Sequence, residues 1–282
     1  VVDDARMVYA LYSEGFRLGG VNRDRAEQRG IEPTFPHEYE SDILQNYEAG
    51  LRSRWLDGRL QLNVTLYHQV WKDAQLELLD PQNFTLVDTD GDGDPDTFYP
   101  FQIVVANLGD SIVDGVDLDV SAIAGDFTLG LVSTYLFKAE TDEDVLVEFP
   151  DNPDADTFFL AGGTRLPLTA DLNLAAYVER GWQMGGGEAY ARLQYSYTGE
   201  SWNQLRDGDG DDSADLNGAR VRNPAYSTVD LRTGYATGDW EFSVYVDNLL
   251  DERVETLRQF GQENIFGLGE NVFAARPRTY GI

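Results

Sequence analysis

From Leu60 the chain reads LQLNVTLYHQVW, with Leu60, Leu62, Val64, Leu66 and Val70 alternating with Gln61, Asn63, Thr65, Tyr67 and Gln69. Successive side chains on an extended backbone point to opposite faces, so this stretch reads as a strand with one apolar and one polar face. The alternation recurs. Met7, Tyr9 and Leu11 form one set, and Val116, Leu118, Val120 and Ala122 oppose Asp117, Asp119 and Ser121. Leu172, Leu174, Ala176 and Val178 oppose Asp171, Asn173, Tyr177 and Glu179. Ala189, Ala191, Leu193, Tyr195 and Tyr197 oppose Arg192, Gln194 and Ser196, and Trp240, Phe242, Val244 and Val246 oppose Glu241, Ser243 and Asp247. No stretch keeps a helical period over three turns, so the chain is all-β.

The connections sort into two kinds. Short turns lie at 55–59, 123–127, 180–188 and 235–240, and long polar stretches at about 17–45, 80–103, 139–165, 203–224 and 253–275. Short alternating with long is the pattern of an up-and-down antiparallel sheet whose two ends differ. Ten strands follow: 5–16, 45–55, 59–79, 104–123, 126–138, 166–180, 188–202, 225–236, 239–252 and 276–282. Many exceed the usual ~5–6 residues of soluble proteins. A soluble sandwich would turn the apolar face inward, and period alone leaves that reading open. Strand length, unequal connections and aromatics near strand ends (Tyr12, Trp55, Trp71, Phe127, Trp182, Trp202, Tyr235 and Trp240) favour a transmembrane barrel with apolar side chains toward lipid.

The charge balance narrows the partners. The net charge is −29, from 50 acidic and 21 basic residues, which argues against nucleic acid as a partner. There are no cysteines, which excludes thiol chemistry, and the only two histidines, His37 and His68, lie far apart in sequence, which argues against a histidine-rich metal centre. No apolar run reaches the ~20 residues of a membrane-spanning helix. The chain opens inside a strand without a signal-peptide pattern, and reads as part of a longer protein. No catalytic spacing stands out, so no enzyme activity is expected. The inward arginines Arg52, Arg54, Arg192 and Arg232 are expected to pair with Glu48, Asp230 and Glu241 in a polar interior, the competing reading being a lumen that attracts anions.

Two runs carry the candidate site. DTDGDGDPD places Asp88, Asp90, Asp92, Asp94 and Asp96 at alternate positions, and DGDGDDSAD places Asp207, Asp209, Asp211 and Asp215 in a second long connection. An EF-hand loop needs oxygens at its first, third and fifth positions and a closing glutamate at the twelfth. Those twelfth positions here are Tyr99 and Gly218, so each run is half of such a site. A hard cation with flexible coordination, calcium above magnesium, suits clustered carboxylates. The competing reading is solvated acidic loops.

Several segments then resemble one family. YALYSEGFRLGGVN (9–22), NYEAGLRSRWLDGRLQLNVTLYHQVWKDAQL (46–76), VANLGDSIVDGVDLDV (105–120), LQYSYTGESWN (193–203) and NPAYSTVDLRTGYATGDWEFSVYVDNLLDERV (223–254) are similar, in order, to strands of TonB-dependent outer-membrane receptors. The pairing of NLLDE (248–252) with RPRTYGI (276–282) is the most specific part. The resemblance implies a barrel of about 22 strands around an N-terminal plug, with residues 1–282 as its C-terminal part, about ten strands, and the plug and first barrel half outside this chain. It also implies residence among the lipids of the Gram-negative outer membrane, a siderophore-like ligand, and coupling to the TonB energy complex. A non-gated porin and a secreted calcium-dependent β adhesin are the alternatives.

Overall fold

The computed structural model describes residues 3, 5–22, 38–79, 86–87, 97–98, 103–147, 158–205, 220–260 and 270–282. Ten antiparallel strands form one sheet in chain order: β1 (Arg6–Arg17), β2 (Asp42–Trp55), β3 (Leu60–Lys72), β4 (Ser111–Ala124), β5 (Phe127–Thr141), β6 (Leu172–Met184), β7 (Gly187–Thr198), β8 (Tyr226–Thr237), β9 (Trp240–Asp247) and β10 (Thr279–Gly281). The described residues contain no helix. The expected ten strands are all present, as an up-and-down meander.

Tight turns join the strands at one end. In the β6–β7 hairpin both strands run further than the sequence suggests, leaving Gly185 and Gly186 as the turn, with φ of +57° and +85°. Positive φ at both central positions is the type I′ requirement, which glycine meets without a Cβ clash. At the other end each long connection starts as a two-stranded ribbon. Gly20–Val21 pairs with Glu38–Tyr39, Gln75–Leu79 with Ile103–Asn107, and Val145–Val147 with Phe158–Leu160. Ser201–Trp202 likewise pairs with Arg222–Asn223, and Glu255–Phe260 with Glu270–Ala274.

These ribbons divide what the sequence suggests are continuous strands at 59–79 and 104–123. The break falls at Asp73 and Gly109, with φ of +50° and +70°. Backbone bonds from Ala74 N–H to Gly109 O and from Leu108 N–H to Ala74 O, each 2.9 Å, cross it. Leu108, Ala106, Leu160, Leu166 and Leu205 pack together there as a small buried apolar cluster beneath the long connections.

Register assigns the faces, because residues directly opposite on antiparallel strands share one. Leu51, Val64, Leu118 and Ser133 align, and so do Ala49, Leu66, Val116 and Tyr135. This outward face carries Trp55, Phe127, Trp182, Tyr235 and Trp240 near the tight turns. Tyr12, Tyr47 and Tyr135 stand further along the strands. Trp55 and Tyr47 are separated by about 27 Å of strand at ~3.4 Å per residue, or about 20 Å of depth at a tilt near 40°. Arg6 stacks 4.4 Å over Trp55 and Arg180 lies 5.5 Å from Phe127, so cationic heads flank that aromatic row.

Two expectations change. Met7, Tyr9 and Leu11 lie opposite Arg52, Gly50 and Glu48, and so on the polar face; Val8, Ala10 and Tyr12 point outward instead. Both parities of β1 are largely apolar, so its own alternation leaves the face undecided. Trp71 also faces inward, and Trp202 belongs to the ribbon at the long-connection end, beneath Arg220 and Arg222 at 4.3 and 4.9 Å.

Candidate functional site

The inward face is built on tyrosine laid over glycine. Tyr9 lies opposite Gly50, Tyr67 opposite Gly115, Tyr177 opposite Gly130, Tyr190 opposite Gly234 and Tyr245 opposite Gly281. A Cβ on any of these glycines would sit 2.1 to 2.6 Å from a ring atom, so each ring occupies the space a side chain would take. Isolated glycine in a strand marks such a close approach. Arginines then cover three of the rings: Arg192 lies 3.7 Å over Tyr177, Arg52 is 5.6 Å from Tyr9, and Arg232 is 5.7 Å from Tyr245. Polar groups fill the rest, with Tyr9 Oη 2.9 Å from Thr65 Oγ1 and Thr134 Oγ1 donating to Asp117 at 2.6 Å.

The expected arginine pairing differs from the observed one. Arg52, Arg54, Arg192 and Arg232 all face inward, yet none forms an ion pair with Glu48, Asp230 or Glu241; Arg192 reaches Glu179 at 4.0 Å instead. The reason is local. Glu48 accepts from Asn46 Nδ2 at 2.8 Å and Asp230 from the Asn248 N–H at 2.8 Å, while Arg52, Arg192 and Arg232 lean onto the aromatic rings.

A second assembly sits where β1, β2 and β3 reach the long connections. Asp42 is buried there at 2% exposure. Its carboxylate takes hydrogen bonds from Arg17 Nε at 2.9 Å and Arg17 Nη2, from Trp71 Nε1 at 2.7 Å and from the Gln75 N–H at 3.1 Å. Gln75 Nε2 in turn donates to the carbonyls of Glu40 and Leu18, at 2.7 and 3.1 Å. Asn107 ties Glu40 to Asp73 by donating to both carbonyls, at 3.1 and 2.8 Å. The roots of two long connections are thereby fastened to one carboxylate. A tilted strand crosses hydrocarbon in about 9–11 residues; counted from Trp55, Asp42 lies beyond that span. Burial pushes its carboxyl up, and the Arg17, Gln75 and Trp71 donors outweigh this and hold it down at about 2.

The NLLDE segment is a third joint. Asn248, at φ +52°, donates from Nδ2 to Glu252 O at 2.8 Å and accepts the Glu252 N–H at 2.9 Å. Asp251 Oδ1 accepts the Arg278 N–H at 3.1 Å, which is the physical link between NLLDE and RPRTYGI. Asp88, Asp90, Asp92, Asp94 and Asp96 lie outside the described residues, as do Asp207, Asp209, Asp211 and Asp215. Among the described residues no group of three or more such side chains stands ready to hold a metal ion.

Neither the Asp42 assembly nor the tyrosine–glycine lattice is read from the sequence alone. The lattice leaves a trace there, as glycines at 50, 115, 130 and 234 inside alternating strands. Asp42 leaves none, because its partners come from β1, β3 and the ribbon that follows.

Residues 1–249 match the model of the TonB dependent receptor-like β-barrel family. Among solved structures the chain is similar to the ferric yersiniabactin uptake receptor FyuA of Yersinia pestis, with a TM-score of 0.63 and 21% identity over 99% of this chain and 34% of that one. It is also similar to the siderophore receptor PiuA of Acinetobacter baumannii, with a TM-score of 0.65 and 14% identity over 99% of this chain and 33% of that one. The ferric preacinetobactin receptor BauA of the same organism aligns with a TM-score of 0.58 and 15% identity, over 99% and 34% of the two chains. The chain thus spans about a third of the length of these structures, and identities this low speak to fold alone.

Proposed function

The chain belongs to the TonB-dependent receptor β-barrel family, and from that premise we propose that the protein it builds takes up a scarce nutrient, most directly a ferric siderophore, by TonB-coupled transport. The family is one of receptors and transporters, and it resides in the Gram-negative outer membrane. The observation that carries the reading is the division of the sheet. Its outward face is banded by aromatics, its inward face holds the arginine, tyrosine and carboxylate lattice, and its long connections gather at one end. Such a wall suits lipid on one side and a polar ligand path on the other. That its structural neighbours include a ferric yersiniabactin uptake receptor and a siderophore receptor supports a siderophore as cargo.

The test is uptake of radiolabelled iron, supplied as ferric siderophores, by iron-starved cells with and without the gene. Loss of uptake of one siderophore on deletion, and its loss in the parent strain on adding a protonophore, supports the proposal. Uptake that persists with the protonophore favours the porin reading. Calcium held by Asp88 to Asp96 and Asp207 to Asp215 belongs to the same proposal and rests on the carboxylate spacing in the sequence.

A further inference from the structure

Arg52 and Arg54 stand at alternate positions of β2 on the inward face, both exposed. They line one hollow of about 460 Å³ at the tight-turn end of the wall, together with Asp3, Arg6, Gln61 and Asn63. The charge balance there is positive. Among the described residues of the lining Asp3 is the only acid, and Arg6 engages it at 3.2 Å. Asp119 stands about 10 Å from Arg52, across two strand spacings. Asn63 lies between them in register and donates to that carboxylate at 3.3 Å. Among the described residues neither Arg52 nor Arg54 forms an ion pair or a side-chain hydrogen bond. Arg52 lies 5.6 Å from the centre of the Tyr9 ring, near the ~6 Å limit of that attraction, so its N–H donors stay open.

We propose that this hollow binds one phosphate group, held between the Arg52 and Arg54 guanidinium groups. Side chains two residues apart on one face of a strand repeat about every 7 Å. A phosphate gripped from both sides by N–H···O contacts of about 2.8 Å needs a comparable separation. Its tetrahedron offers a different pair of oxygens to each fork, whereas a carboxylate spends both of its oxygens on one. The dianion also meets the two positive charges that the lining leaves uncompensated, and Gln61 adds an amide donor. The inward face turns the site away from lipid headgroups, so the phosphate comes from a free solute at the tight-turn end. The site lies on the wall itself, and it stands whichever nutrient is carried.

The experiment titrates the whole protein in nonionic detergent micelles with sodium phosphate, at a slightly alkaline pH where the ion is mostly a dianion. Sodium chloride and sodium acetate at matched ionic strength are the controls, and the thermal unfolding midpoint is the readout. A ligand of the folded state raises that midpoint in a saturable way. Phosphate should do so at concentrations where both controls leave it unmoved. Arg52→Gln and Arg54→Gln should each weaken the response about tenfold or more. Both side chains are exposed, so the variants should fold, and the midpoint without phosphate checks this. Arg232→Gln, elsewhere on the same face, should respond as the parent does. A midpoint that follows ionic strength alone, an acetate response equal to that of phosphate, or a phosphate response unchanged in either β2 variant overturns the proposal. So does an equal loss in Arg232→Gln, which marks a response to net charge and not to a site.

Discussion

Asp42 shows how one buried charge is kept ionised. Isolated carboxylates avoid the interior, yet this one accepts from a guanidinium, an indole N–H and a backbone N–H together. Its carboxyl is held at about 2 in the folded protein, against roughly 3.9 for an unfolded aspartate. A depressed folded value stabilises above the unfolded one, and that contribution is lost as the pH falls from about 4 toward 2. The order at the roots of the connections after β1 and β3 should therefore weaken over that acidic window, read as faster amide exchange at Glu40, Gln75 and Asn107. Asp42→Ala should produce the same opening at neutral pH, by about 1–3 kcal/mol, because it leaves the Trp71 indole and Gln75 backbone N–H without their acceptor. Unchanged exchange at those three amides in the variant would contradict the role given to Asp42.

At the scale of strands, the alternation of apolar and polar residues and the spacing of the connections made the ten sheet strands legible, and register confirms the faces assigned on β3, β4, β6, β7 and β9. It failed on β1, where apolar residues occupy both parities and only pairing with β2 decides. Strand ends were less legible, since the kinks at Asp73 and Asn248 depend on positive-φ residues held by partners far along the chain. The face assignment predicts a contrast. Val64→Arg or Leu174→Arg on the outward face should cost ~2–4 kcal/mol in denaturant unfolding from lipid, while Asn63→Arg or Asn173→Arg should cost far less. Equal costs, or the reverse order, would return the sheet to a soluble sandwich. The long connections carry a separate prediction. Calorimetric titration of calcium into chelator-treated protein should give heat at up to millimolar concentration, reduced in Asp90→Asn and Asp209→Asn. No heat above buffer would leave these runs as solvated loops.

For the whole molecule, topology and charge give one orientation. The meander places its tight turns at one end and its ribbons at the other, and its inward polar face would be costly toward lipid. The family membership supplies the membrane, and the sheet geometry supplies which end faces out. The cargo is not legible in the sequence, because the chain spans about a third of the structural neighbours' length and its identity to them speaks to fold alone. The orientation itself is open to direct measurement, since the chain contains no native cysteine. Single cysteines are introduced as Glu143→Cys and Ala161→Cys in the connection after β5, and as Arg59→Cys and Asp239→Cys at the tight turns. Intact cells are then treated with a membrane-impermeant maleimide. The account predicts labelling of the first two positions alone, with the turn positions labelled only after the outer membrane is opened. Labelling of Arg59→Cys or Asp239→Cys on intact cells, with Glu143→Cys and Ala161→Cys protected, would contradict it.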